Sequence, residues 1–301
     1  MALVIDHYLP LFIKSNNFYS LSGFDNTYFK PQYDIKNNKD NCYVINWGQV
    51  SEWGINQSTL ETGFFKNALH IDTHGLYQFC SLNLAGSKEI IENYDIPHHF
   101  TVNDLETKLP QVSNKMDWDG IVLAAQHPND RSILHVGSVK NYYDFIEESC
   151  KFYGDKLLIK VHPTNNIEIE NTYKSLAKPY GSTVARTAIS VIDKAEFMIT
   201  YNSTFSIDCI LRNKLVNQYA PGYFWKSGIV NYTERKLLSN AKTLESEYFH
   251  QFYNFLLWKY CFHANENITN IRNICDVFKN SSELFPLPEN LSYGQYLLNK
   301  S

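Results

Sequence analysis

The chain has 301 residues, 44% of them hydrophobic and 15% aromatic, with a formal net charge of -4 and an isoelectric point near 6.2. That length buries a substantial core and exceeds the commonest single-domain range, so two domains are expected, while the acidic balance without a basic stripe excludes a general nucleic-acid binder. The six cysteines are dispersed with no C-x-x-C pair, which excludes a disulfide scaffold and a thiolate metal site and fits a reducing cytoplasm.

The opening segment, MALVIDHYLPLFIKSNNF, is apolar but lacks a cationic leader and is too short to span a bilayer, so a soluble protein is expected. Up to about residue 119 the pattern is irregular, with strand candidates at CYVINWG and ALHID. From there it is regular. GIVLAA reads as a buried strand, SVKNYYDFIEESCKFYG as an amphipathic helix ending at Gly154, and KLLIKV as a second strand. NNIEIENTYKSLAKPYG is a predicted helix, STVA a short strand, AISVIDKA a short helix, EFMITY a strand, STFSIDCILRN a helix and KLVNQY a strand. Short apolar runs alternating with helical patterns indicate βαβ units and a parallel, Rossmann-like sheet. Two further helices are predicted, AKTLESEYFHQFYNFLLWKYCFH and ITNIRNICDVFKN. The aromatic stripe of the first is read as a packing face, with a peripheral membrane contact as the alternative.

In open α/β sheets ligands bind beyond the carboxyl ends of the strands. KLLIKV ends in His162-Pro163, with Lys160 two residues earlier, and EFMITY ends in Asn202-Ser203-Thr204. Hydroxyls, amide groups, a lysine and a histidine on successive strand ends suit a nucleotide phosphate. The same residues also serve as ordinary helix caps and strand exits. The third strand end, AAQHPNDRSI, places Gln126, His127, Asn129, Asp130, Arg131 and Ser132 within seven residues.

Four segments, in order, carry a resemblance. ETGFFKNALHIDTHGLY resembles an E-[DS]-G-F-x-R-S motif with a trailing D-x-x-G-[IL]-Y; AAQHPNDRSI resembles a Q-x-x-x-D-x-S-I loop; Lys160 to Pro163 spells K-x-H-P; and Thr200 to Val230 resembles a following Ser-containing motif. Together they resemble the retaining β-Kdo transferases of bacterial capsule polysaccharide and lipopolysaccharide assembly, which use CMP-Kdo. The resemblance implies an α/β, glycosyltransferase-B fold: two Rossmann-like domains facing across a cleft, with C-terminal helices. The expected division is residues 1–135 on the acceptor side and 136–301 for the nucleotide sugar. It also implies Asp130 as nucleophile and Glu61 as acid/base of a double displacement. Lys160, His162, Asn202, Ser203, Thr204 and Asp208 would bind the donor, Gln126, Ser132 and His127 would bind it or hold the loop, and Arg131, Lys66 or His127 would take the sugar carboxylate. No metal or other cofactor is expected, and Asp117-Trp118-Asp119 is read as a surface turn. The partners expected are a nucleotide-sugar donor and a glycan or lipid-linked glycan acceptor, with a cytoplasmic location, peripheral to the inner membrane at most.

Three departures bear on the donor. Lys66-Asn67 stands in place of Arg-Ser, Asp208 in place of a Glu that reaches the ribose, and APGYFW in place of a more glycine-rich segment. Lysine lacks the planar fork that grips a carboxylate bidentately. A CMP-sialic acid type transferase, a CDP-polyol phosphotransferase of teichoic-acid type and a non-catalytic sugar- or nucleotide-binding protein are the alternatives.

Overall fold

A computed structural model describes residues 2–5, 26–29, 42–47, 57–62, 64, 68–72, 74–94, 113–242 and 246–263. The chain forms two compact units, one of Met1–Lys108 with His250–Ser301 and one of Leu109–Phe249. The division expected at residue 135 falls inside the second unit, and the final segment returns to the first.

The second unit carries the regular pattern. Its strands are β6 (Ile121–Ala124), β7 (Leu157–Lys160), β8 (Thr183–Ala185), β9 (Met198–Thr200), β10 (Val216–Gln218) and β11 (Asn231–Tyr232). All pair in parallel in the order β8-β7-β6-β9-β10-β11, the doubly wound arrangement. The connection after β6 holds α2 (Arg131–Leu134) and α3 (Val139–Tyr153), β7 leads into α4 (Ile167–Ala177), and β9 into α5 (Ser206–Leu211). AISVIDKA folds as a 3-10 helix over Ile189–Asp193.

Local chemistry accounts for these elements. Helix α3 buries Tyr142, Phe145, Ile146, Ser149, Cys150 and Tyr153, one helical stripe; Ser138 caps its start and Gly154, with φ 61°, its end. The sheet face carrying Leu123, Ile159, Ile199 and Tyr201 packs in one core with that stripe and with Tyr173 of α4. Gly120 admits β6 beside β7, because a Cβ there would lie 2.4 Å from the Lys156 carbonyl oxygen.

The first unit contains β1 (Ala2–Ile5), β2 (Asn26–Phe29), β3 (Cys42–Trp47), β4 (Gln57–Thr62), β5 (Ala68–Asp72), α1 (Ser87–Glu92), α6 (Ser246–Phe255, shared with the end of the second unit) and β12 (Cys261–His263). Strands β2, β1, β3 and β4 are parallel, whereas β5 runs antiparallel to β4 and β12 antiparallel to β5. The sheet is therefore mixed rather than purely Rossmann-like. The helix expected to reach His263 stops at Phe255, passes through a π-turn over Leu256–Tyr260 and becomes β12. Pairing with β5 engages the backbone of Cys261 to His263 on one side, as the edge strand of the sheet, and overrides the helical pattern. The predicted helix at 268–280 lies outside the described residues.

Candidate functional site

A doubly wound sheet reverses its strand order between β6 and β9, and the carboxyl edge at that reversal is where such folds bind ligands. Across this edge Lys160, Ala124, Thr200 and Gln218 are register partners on four neighbouring strands. Ala124 is small and leaves room in that row. The space above it is lined by Ala124, Ala125, Lys160, His162, Ser203 and Phe205, which brings the K-x-H-P strand end and the Ser203 strand end to one place.

Lys160 is 6% exposed. Burial pushes its pKa below the ordinary value, opposed by the nearby Cys209 and by the carboxylate of Asp208, itself buried. The Lys160 ammonium is thus desolvated, with the Asp208 carboxylate as its acidic neighbour. His162 accepts the Thr164 backbone N–H on Nδ1 at 3.3 Å, and its Nδ1 lies 2.8 Å from the Thr164 hydroxyl. Acceptance at Nδ1 places the ring proton on Nε2. Ser203 accepts the Phe205 N–H at 3.1 Å, while its carbonyl takes the Ser206 hydroxyl at 2.8 Å, forming the turn that starts α5; Thr204 is half-buried beside it.

The connection after β6 is held more tightly than its polarity suggests. Gln126, Ser132 and Asn202 are buried and bond to one another: Gln126 Nε2 donates to Ser132 Oγ at 3.1 Å and to Asn202 Oδ1 at 3.0 Å. The backbone of Gln126 is gripped as well. Its N–H donates to the Tyr142 hydroxyl at 2.7 Å, and its carbonyl accepts the Tyr173 hydroxyl at 2.8 Å and Asn165 Nδ2 at 3.3 Å. Burial raises the pKa of both tyrosines, keeping them as neutral O–H groups. Tyr142, Tyr173 and Asn165 escaped sequence reasoning because both tyrosines sit at apolar positions of helical patterns, where only the ring is expected to matter.

Asp130 is half-buried and caps α2, its Oδ1 accepting the Ser132 N–H at 2.8 Å. Arg131 is exposed at the first position of α2, and His127 is half-buried, its Nδ1 accepting the Asn129 N–H at 3.2 Å. His135, at the end of that helix, has its pKa lowered by burial and then by Arg131. Asp117 is exposed and pairs with Lys194 at 2.9 Å, and Asp119 is exposed, so both acids lie at the surface in the irregular segment before β6.

In the first unit, Glu61 lies on β4 with its backbone in register with His70 of β5. Lys66 lies outside the described residues. Glu61 therefore belongs to the first unit and Asp130 to the second. Asp72, the acid of the D-x-x-G segment, is fully buried and accepts the N–H groups of His74 (2.7 Å), Gly75 (3.1 Å) and Ser81 (2.8 Å), the Ser81 hydroxyl (2.7 Å) and the Tyr260 hydroxyl. This motif organises the turn after β5. Tyr260 also stacks on His70, with centroids 5.3 Å apart.

No protein-family model matches the chain, and no curated protein is found similar to it. Among solved structures, the chain is similar to Thermosulfurimonas dismutans KpsC, beta Kdo 2,7 transferase, with a TM-score of 0.56 and 13% identity over 91% of this chain and 99% of that one. It is also similar to Thermosulfurimonas dismutans KpsC, beta Kdo 2,4 transferase, with a TM-score of 0.52 and 15% identity over 83% and 90% of the two chains. At that identity the likeness establishes a shared α/β fold with a parallel sheet and helices.

Proposed function

We propose that the chain is a retaining glycosyltransferase that moves Kdo in β-linkage from CMP-Kdo to a bacterial surface-glycan acceptor. The observation that carries this reading is the convergence of Lys160, His162 and Ser203 at the carboxyl edge of the doubly wound sheet, on segments that resemble β-Kdo transferase motifs. The fold shared with two solved Kdo transferases supports it. Lys160 and His162 bind the phosphate of CMP, with Ser203 and Thr204 beside them, and Asp208 acts through Lys160. These groups stabilise charge on the departing CMP, a task for which the reading assigns no metal.

Asp130 attacks the anomeric carbon as CMP leaves with the bonding electrons, giving a glycosyl ester. An acceptor hydroxyl then attacks the same carbon, releases Asp130 and gives its proton to Glu61, so two inversions retain configuration. Arg131, Lys66 and His127 are the groups for the sugar carboxylate. The enzyme works in the cytoplasm, at most loosely on the inner membrane; no helix among the described residues is long and apolar enough to cross one.

A thermal-shift series with CMP, CDP and UMP tests the reading, because a ligand that binds only the native state stabilises it by about 2.7 kcal/mol at a hundredfold excess over its Kd. CMP raises the melting temperature most, and CMP-Kdo with an acceptor releases CMP. A CDP-only response, or none, overturns the assignment.

A further inference from the structure

We propose that Asn202 is a positioning residue for Asp130, acting through Ser132, and does not hold the donor; this rests on the reading of Asp130 as the reacting carboxylate. A side-chain amide has two N–H donors and an oxygen that accepts two hydrogen bonds. In Asn202 all four positions are occupied. Its Oδ1 accepts from Gln126 Nε2 at 3.0 Å and Ser132 Oγ at 3.1 Å, and its Nδ2 donates to the carbonyls of Ser132 at 2.7 Å and Pro221 at 3.0 Å. Exchanging the amide oxygen and nitrogen would set the oxygen against two carbonyls, so the network itself fixes the orientation. With 2% of its surface exposed and its side-chain capacity filled, Asn202 has no side-chain group to offer a nucleotide.

The bonds lead directly to Asp130. Ser132 donates its N–H to Asp130 Oδ1 at 2.8 Å and its carbonyl accepts from Asn202 Nδ2, so one residue joins the carboxylate to the anchor. Gln126, four positions before Asp130, is tied by its Oε1 to the Asn202 N–H at 3.1 Å. The loop is therefore pinned on both sides of Asp130 by a single residue from the end of β9. The loop after β10 closes on the same point: a Cβ on Gly222 would lie 2.8 Å from the Asn202 Cβ, a contact that only glycine avoids. Three loops at the carboxyl edge thus meet in one amide, and a buried, fully satisfied network of this kind rigidifies what it holds.

The test compares wild type with Asn202→Ala by hydrogen exchange, CMP titration and steady-state transfer. The variant retains its circular dichroism, and the amides of residues 127–136 exchange about tenfold faster or more, because the loop opens locally. CMP affinity and donor KM stay within about twofold, while kcat falls on the order of 10²-fold, the loss expected when a reacting group is displaced by about an ångström. Asn202→Asp, which keeps the acceptor oxygens but loses the donors to Ser132 and Pro221, shifts in the same direction. Unchanged exchange, or CMP binding weakened about tenfold with the loop still protected, overturns the proposal. If Asn202→Ala does not fold, Ser132→Ala removes one hydroxyl from the knot and is judged by the same criteria. The exchange measurement needs no donor, so a wild-type chain that transfers no Kdo refutes the transferase reading while the Asn202 result still stands or falls on loop protection.

Discussion

The ammonium of Lys160 lies 5.5 Å from the centroid of the Phe205 ring, in the space that both residues line with His162 and Ser203. A cation over an aromatic face gains some attraction, but burial still lowers the Lys160 pKa below its ordinary 10.5. Between the folded-state value and 10.5 the unfolded chain binds more protons, so the contribution of Lys160 makes native stability rise with pH across that window. Lys160→Met removes a buried charge from the ligand-free protein. Its melting temperature at neutral pH should match or exceed wild type while CMP affinity falls by about 1–3 kcal/mol. Calorimetric titration and a melting curve on the same sample check this; a joint fall in stability with CMP affinity unchanged would mark Lys160 as a structural anchor.

His162 is held by Thr164 through Nδ1 at the edge of the same space. His162→Ala should lower CMP affinity by about 1–3 kcal/mol with the circular dichroism unchanged. A folded variant with wild-type affinity removes His162 from the site.

Asp130 caps α2, and one substitution separates that role from the nucleophilic role proposed for it. Asparagine retains the oxygen that caps α2 through the Ser132 N–H but is a poor nucleophile. Asp130→Asn should keep stability and CMP binding while transfer is lost, whereas Asp130→Ala should lose transfer and also about 1 kcal/mol of stability with the cap. Near-normal turnover by Asp130→Asn would exclude it as the nucleophile. In Glu61→Gln the glycosyl ester should accumulate on Asp130, detectable by intact mass and peptide mapping after incubation with CMP-Kdo.

Asp72 and Tyr260, 188 positions apart, join the turn after β5 to the C-terminal π-turn. Tyr260→Phe should destabilise by about 1.5–3 kcal/mol, and Asp72→Ala by more because it strands several donors. The double variant should lose less than the sum, with a coupling of about 0.5–3 kcal/mol in denaturant titrations. Additive losses would show that the two residues do not stabilise one another.

Glu170 accepts Lys174 and Arg186 Nε, each at 2.8 Å, and Arg186 also donates to the carbonyls of Pro163 and Asn165 in the loop that follows His162. Lys174, then Arg186, holds the Glu170 pKa below its ordinary 4.5 against the opposing effect of burial. This stability is fully present above pH 4.5 and is lost as pH falls through the lower folded-state value. Glu170→Gln should cost on the order of 1 kcal/mol near neutrality, because Lys174 is half exposed, and the gap to wild type should close in acid. Melting curves across the acid range decide it; a gap that widens in acid contradicts the sign.

Much of the second unit was readable from residue types alone. Apolar runs alternating with helical stripes placed β6, β7, β9, β10, α3 and α4, because burial imposes a period of two or 3.6 on nearby residues. The same local logic put Lys160, His162 and Ser203 on strand ends. Tertiary structure alone decided the rest. The order β8-β7-β6-β9-β10-β11 and the antiparallel β5 and β12 depend on pairings between residues far apart in the chain, to which composition and spacing are blind. So does the character of Asn202, which reads as a ligand contact in sequence, and of Gln126 and Ser132, for which sequence leaves ligand contact and loop support both open. Gln126 and Asn202 stand 76 positions apart, and only their meeting at the reversal of the sheet directs their polar groups at one another. A side chain's type fixes how many hydrogen bonds it can make; the fold decides which of those remain for a ligand.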